Sequence, residues 1–163
     1  ALFRMGIPVC GKNYFPSNIQ GLPTWYEIRA SGHGHLARSG RVDIMVAMNA
    51  ETYARDHACV APGGYLIYDS TWPRSQLFNR TDIHVIGVPL SHICNENFAQ
   101  ARSRILMKNI MYVGVLAALQ EMDMQVIKGL LNEQFKAMPG PGRISAVRCR
   151  SARCPSTRRA ITS

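Results

Sequence analysis

The sequence predicts an α/β domain, a three-layer α/β/α arrangement around a mostly parallel but mixed sheet. Three observations predict it. Short apolar, β-rich runs at residues 42–48, 65–68 and 83–89 alternate with stretches of helical period, the pattern of strands crossing over through helices. An earlier run, 24–31, alternates with period two and is followed by Gly32-His33-Gly34-His35, which reads as a hairpin turn and adds an antiparallel strand. With 47% apolar residues in 163, the chain is long enough to build one core.

The elements follow in order. Ala1 to Met5 reads as the last turns of a helix ended by Gly6, and with no cap before it residues upstream are expected to be missing. Residues 7–11 form a short strand, and 12–23, rich in Asn, Pro, Ser and Gly, form a loop. In the next strand Trp25 and Glu27 share one face, Tyr26 and Ile28 the other. The run 42–48 is nearly apolar throughout and is expected to be central in the sheet, covered on both faces. Asn49 is placed to cap a helix over 50–57, and Pro62-Gly63-Gly64 turns into the strand that ends at Asp69-Ser70-Thr71. After the strand at 83–89 the chain is helical from Leu90 onward, with a longer helix expected over 106–121. That helix places Ile110, Val113, Gly114 and Ala117 on one face, and Gly114 with Ala118 would admit another backbone. Asp123 caps a last helix whose Val126, Ile127, Leu130, Leu131 and Phe135 recur at helical spacing.

At about Lys136 the periodicity stops, which divides the chain into a domain at 1–136 and a tail at 137–163. Six of the nineteen basic residues lie in the tail with no acid among them, so the net charge of +9 belongs mostly to it. The tail is expected to be disordered, because its scattered apolar residues bury too little surface to offset ordering. Its abrupt start favours a frame-shifted translation over a charged interaction segment. A nucleic-acid-binding role rests on this tail alone.

Other function classes find little support. The longest apolar run, 110–119, is about half the ~20 residues a membrane span needs, and no signal peptide is visible. The five cysteines, Cys10, Cys59, Cys94, Cys149 and Cys154, show no Cys-x-x-Cys spacing, so they read as free thiols in a reducing cytoplasm. His33 and His35 with Glu27 and Asp43 can be drawn as a metal cluster, but two His flanking a turn glycine read as exposed. His84 and His92 read as structural. There is no G-x-G-x-x-G for a nicotinamide cofactor and no nucleophile elbow for a hydrolase.

The segment Lys12-Asn13-Tyr14-Phe15-Pro16-Ser17-Asn18-Ile19-Gln20-Gly21-Leu22-Pro23-Thr24-Trp25-Tyr26-Glu27-Ile28-Arg29 closely resembles the loop and strand of the gamma-type domain in 2-oxoacid:acceptor (ferredoxin) oxidoreductases, which include the pyruvate, 2-oxoglutarate and ketoisovalerate enzymes. The likeness continues, in order, through residues 42–49, 62–70, Val88-Pro89, 108–114 and 133–136. It implies a component of a complex that converts a 2-oxoacid and CoA to acyl-CoA and CO2. Electrons then pass from thiamine diphosphate to iron–sulfur clusters and ferredoxin. It also implies that a strand and glycine-rich turn before residue 1, and a thiamine-binding domain after the gamma-type domain, are absent. The chain alone is then expected to bind no cofactor and to be inactive without thiamine-binding and cluster-bearing partners.

The loop at 13–21 joins two strands, where clefts of α/β proteins lie. Asn13, Ser17, Asn18 and Gln20 offer neutral hydrogen-bonding groups toward substrate or CoA, and Gly21 permits close backbone approach. The fork of Arg29 matches a 2-oxoacid carboxylate or a CoA phosphate. Against these readings, the loop side chains can satisfy loop amides and Arg29 can pair with a carboxylate. Tyr14, Phe15 and Trp25 are candidates for anchoring a partner subunit, which makes a non-catalytic interaction module the alternative function. Asp69, Ser70 and Thr71 are read as turn and cap residues rather than ligand contacts.

Overall fold

The computed structural model describes residues 1–15, 22–35, 37–38, 40–74 and 79–135, and the tail at 137–163 lies outside that range. Five strands and four α-helices follow one another as β1 (Val9–Tyr14), β2 (Trp25–Ala30), β3 (Val42–Ala47), α1 (Tyr53–Cys59), β4 (Val60–Asp69), β5 (His84–Val88), α2 (Leu90–Asn97), α3 (Ala101–Leu119) and α4 (Met124–Phe135). Strands β3, β4 and β5 form a parallel sheet in that order. β1 and β2 pair antiparallel as a separate two-stranded ribbon.

The α/β class is as expected, but two details differ. The antiparallel strand does not join the parallel sheet, so among the described residues there are two sheets instead of one mixed one. The hairpin connection is the 15–24 segment, not Gly32–His35; the Ser31 carbonyl accepts from Gly34 N–H in a tight turn that leads the chain off the ribbon. Polar Lys12 and Asn13 hid the far half of β1, since their β-propensity is low and cross-strand pairing decides the matter.

The central strand is β4, whose Leu66, Ile67, Tyr68 and Asp69 are all buried, while β3 lies at the sheet's edge among the described residues. An apolar run marks burial, not rank in the sheet. Successive β4 side chains point to opposite faces. Leu66 and Tyr68 join Ala47, Tyr53, Val60 and Ile83 in the core beneath α1. Ile67 and Asp69 face the other way, where Asp69 meets the first turn of α2 and Lys108 of α3. Helices therefore flank the sheet on both faces.

Pro62-Gly63-Gly64 does not precede β4 but lies within it, at a register shift opposite Val42 and Ile44. Gly63 adopts φ 78°, and a Cβ on Gly64 would stand 2.7 Å from the Asp43 carbonyl oxygen. Only glycine fits this bulge. Arg80 closes the end of α1, donating to the carbonyls of His57 at 2.8 Å and Val60 at 3.1 Å while paired to Asp82.

Of the remaining helices α4 follows the predicted periodicity, whereas on α3 residues 110–116 are all half-buried and only Ala117 is buried. Asn49 accepts from Glu51 N–H at the start of a short 3-10 turn, Ala50–Thr52, that leads into α1. Asp123 accepts from Gln125 N–H at 2.8 Å, capping α4. On α4 the expected face is the one turned inward, with Ile127 buried and Val126, Leu130, Leu131 and Phe135 half-buried. A bidentate Arg4–Glu133 pair, 2.7 and 3.0 Å, ties α4 to a 3-10 turn at Leu2–Met5, which ends at Gly6 in the left-handed region. α3 starts earlier than expected, and among the described residues no atom outside its own helix backbone and chain neighbours lies within 4 Å of where a Gly114 Cβ would stand, so none of them brings a second backbone there.

Candidate functional site

The predicted site residues that are described lie on or beside the β1–β2 ribbon. Its register pairs Tyr14 with Trp25, Lys12 with Glu27 and Cys10 with Arg29, and these six side chains share the inner face. The alternate pairs, Asn13 with Tyr26 and Gly11 with Ile28, share the outer face. Burial follows this alternation on β2: Trp25, Glu27 and Arg29 are half-buried, whereas Tyr26 and Ile28 are exposed.

The ribbon thus separates residues that the sequence grouped. Arg29 lies on the inner face and Asn13 on the outer, so these two do not converge on one ligand from the ribbon itself. Ser17, Asn18, Gln20 and Gly21 lie outside the described residues. Of the aromatic trio, Tyr14 and Trp25 are cross-strand neighbours on the inner face, and Phe15, just past β1, is exposed.

The inner face is strongly polar. Arg38 leaves the turn after β2 and pairs with Glu27 at 3.0 Å, with its guanidinium also 3.5 Å from the Cys10 carbonyl and 3.7 Å from the Cys10 sulfur. The Glu27 carboxylate, accepting from the Tyr14 hydroxyl, raises the phenol above its ordinary value. Lys12 stands over the Tyr14 ring at 4.8 Å. Glu27 is thus engaged by Arg38 and Tyr14 rather than by His33 or His35. Arg29 sits across from Cys10, and its Nε is buried with no hydrogen-bond partner among the described residues. A buried donor left unmet costs about 1–3 kcal/mol.

Trp25 turns toward α1. Its Nε1 donates to Asp56 Oδ1 at 2.9 Å, Asp56 Oδ2 accepts from Thr52 Oγ1 at 2.6 Å, and the Arg55 guanidinium lies 4.2 Å from the centre of the Trp25 ring. Asp56 is 3% exposed, so this carboxylate is a buried anchor.

A second polar cluster closes the C-terminal end of β4. Asp69 accepts from Thr71 N–H at 3.1 Å, Thr71 Oγ1 at 2.6 Å, Ser91 N–H at 3.2 Å, the Ser91 hydroxyl and Lys108 Nζ at 2.9 Å. Thr71 Oγ1 accepts from His92 N–H in turn. Asp69 and Thr71 thereby cap the first turn of α2, satisfying N–H groups that a helix start leaves free. Burial opposes the charged form of Asp69, yet the donors from Ser91, Thr71 and Lys108 prevail and hold its carboxyl well below the usual range. With its oxygens filled, Asp69 has no capacity for a ligand, so the turn-and-cap reading stands. The sequence did not single out Asp56, Thr52, Arg38, Ser91 or Lys108. For Ser91 a signal existed, since a polar strand end followed by a helix start calls for a cap.

Comparison with known proteins places this geometry in a family. The model for pyruvate ferredoxin/flavodoxin oxidoreductase matches residues 1–140. The 2-oxoacid:ferredoxin oxidoreductase 2 alpha subunit of Aeropyrum pernix is 34% identical over 69 residues, 42% of this chain and 11% of that protein. The fold is similar to a 2-oxoglutarate:ferredoxin oxidoreductase from Magnetococcus marinus, solved with 2-oxoglutarate, coenzyme A and succinyl-CoA bound. The TM-score is 0.66 at 22% identity, over 80% of this chain and 22% of that one. The chain therefore spans less than a quarter of either relative. With the family model covering most of its length, the chain belongs to the pyruvate ferredoxin/flavodoxin oxidoreductase family.

Proposed function

We propose that this chain is a component of a 2-oxoacid:ferredoxin oxidoreductase and supplies one wall of the cleft that holds the 2-oxoacid or CoA. The observation that carries this reading is Arg29, whose buried Nε has no partner among the described residues and lies on a ribbon face already shaped by Arg38, Glu27 and Cys10. A guanidinium in that state fits a carboxylate or phosphate, both of which the substrates of such an enzyme carry. Ser17, Asn18, Gln20 and Gly21 are then the candidates for contact with the rest of the substrate, and Asn13, on the opposite face of the ribbon, is not part of the Arg29 wall.

Thiamine diphosphate, when bound, supplies the stabilised carbanion of 2-oxoacid decarboxylation, and iron–sulfur clusters take the electrons. Among the described residues no three His, Cys, Asp or Glu side chains are grouped to hold a metal ion. We assign both cofactors to thiamine-binding and cluster-bearing partners, with ferredoxin as acceptor. The chain's own part is to bind and orient an anionic group and to keep water from one side of it. Among the described residues no helix is long and apolar enough to cross a membrane, and a cytoplasmic complex suits the free thiols.

The ribbon's outer face supports the second reading, a subunit-interaction module. Tyr26 is 65% exposed, Ile28 56% and Phe15 68%, an apolar surface without a cover among the described residues. Substitution of Arg29 by Ala in the complete complex separates the two. The cleft reading expects intact assembly and a KM for CoA or 2-oxoacid raised about tenfold or more, the scale of one charged hydrogen bond. Normal KM with dissociated subunits supports the interface reading instead.

A further inference from the structure

One side of α3 is taken up by α2 and the link that follows it. Arg104 donates to the Phe98 and Ala99 carbonyls at 2.7 and 2.8 Å, Lys108 to the Ser91 hydroxyl at 3.0 Å, and the Cys94 thiol to Met111 Sδ at 3.5 Å. Residues 104, 108 and 111 follow in steps of four and three and so share one face. On the opposite face, at about 100° per residue, fall Arg102, Leu106, Asn109, Val113, Leu116 and Gln120. Leu106 and Asn109 are exposed, Val113 and Leu116 are half-buried, and Ile105 beside them is 67% exposed. No residue from Asn109 to Gln120 is charged. A helix face turned to water is ordinarily charged or polar, and this one is apolar over most of its length. Its spacing names the kind of contact it suits. Positions 106, 109, 113, 116 and 120 alternate steps of three and four, the repeat by which one helix packs along another.

We propose that this seam is the contact between two copies of the chain, their α3 helices packed antiparallel. Charge selects the partner and its direction. Arg102 stands at one end of the seam and Glu121 just past the other, both exposed and without an ion pair among the described residues. Parallel copies would set like charges against each other at both ends. Antiparallel copies, related by a two-fold axis at the level of residue 111, bring Arg102 beside Glu121 of the partner subunit twice over. The same axis lays Leu106 on Leu116 of the partner subunit and Asn109 beside Val113 of the partner subunit. One patch thus serves both copies, as a two-fold contact requires. Asn109, polar in the middle of the seam, fixes the register and lowers the affinity. A single helix about 28 Å long makes a small interface, so a dissociation constant on the order of 10 μM is expected. The inference is independent of the cleft reading, since it needs neither Arg29 nor a substrate.

Sedimentation equilibrium of the full chain from about 5 to 200 μM tests it, with a monomer–dimer equilibrium as the expected result. Leu106→Glu places a carboxylate in the apolar seam and raises the dissociation constant about tenfold or more, while the circular dichroism of the monomer is unchanged because the site is already exposed. Arg102→Glu and Glu121→Arg each raise it about threefold, the scale of one surface ion pair made twice. Combined, the two reversals restore the wild-type value within about twofold, because the charges again oppose each other across the axis. A double reversal that fails to restore dimerisation overturns the antiparallel register. A chain monomeric at about 200 μM overturns the proposal, as does a dimer that Leu106→Glu leaves intact. If the chain is monomeric and Leu106→Glu instead loosens the complete oxidoreductase in size-exclusion chromatography, the seam belongs to another polypeptide of that complex and the second copy is ruled out. Should Leu106→Glu lose its helical signal, Asn109→Lys puts a charge into the same seam at a position that is already polar, and wild-type dimerisation there overturns the proposal.

Discussion

Replacing Asp69 by Asn tests how the sheet is joined to the helices behind it. The asparagine keeps one oxygen for Thr71 but turns an N–H2 toward Ser91 Oγ and Lys108 Nζ, so the ammonium loses the carboxylate now 2.9 Å away. A hydrogen bond to a charged group contributes about 1.5–3 kcal/mol. Lys108 is 25% exposed, so water recovers part of the loss, and about 2 kcal/mol is the net expectation. At an m-value of about 1.5 kcal/mol per molar urea, the unfolding midpoint falls by ~1.3 M. The pH dependence carries a sign. A carboxyl held low in the folded state contributes fully above its unfolded value of about 3.9, and the contribution fades as pH falls toward the folded value. The gap between wild type and variant is therefore constant from about pH 7 to 5 and narrows below about pH 4. Urea unfolding of the chain followed by circular dichroism at pH 7 and pH 3 measures it. A shift under ~0.3 M, or a gap that does not narrow at pH 3, refutes the reasoning.

Two further outcomes follow from particular contacts. Gly64→Ala places a Cβ 2.7 Å from the Asp43 carbonyl and 2.8 Å from that of Ala61. Neither backbone atom can retreat easily, so a loss of about 2–3 kcal/mol is expected in thermal unfolding, and a wild-type Tm contradicts the bulge. Tyr26→Ser with Ile28→Ser polarises the ribbon's exposed face; if that face meets a partner, size-exclusion chromatography of the complete complex shows weakened assembly, and unchanged assembly leaves the face as plain surface.

The strand–helix alternation was legible because β4, β5 and the helices after them carry their own periodicities. The face of α4 could be read residue by residue from Val126 to Phe135. What escaped the sequence was set by distant partners. The apolar composition of β3 signalled burial but could not say that β4 would take the middle of the sheet. Lys12 and Asn13 looked like loop, yet pairing with Glu27 and Tyr26 makes them strand. Asp56 has the local look of an ordinary helix acid, and besides Thr52 its partner is Trp25, 31 positions earlier. Within the predicted site the alternation of β2 was legible, but the opposite placement of Asn13 and Arg29 depends on a register that only the paired strands reveal.

The most direct measurement is a structure of the complete oxidoreductase with CoA and 2-oxoacid bound. The account predicts the Arg29 guanidinium within hydrogen-bonding distance of a carboxylate or phosphate oxygen, on the ribbon face it shares with Trp25. Arg29 remote from both molecules, with its Nε satisfied by a partner carboxylate at a subunit contact, would contradict it.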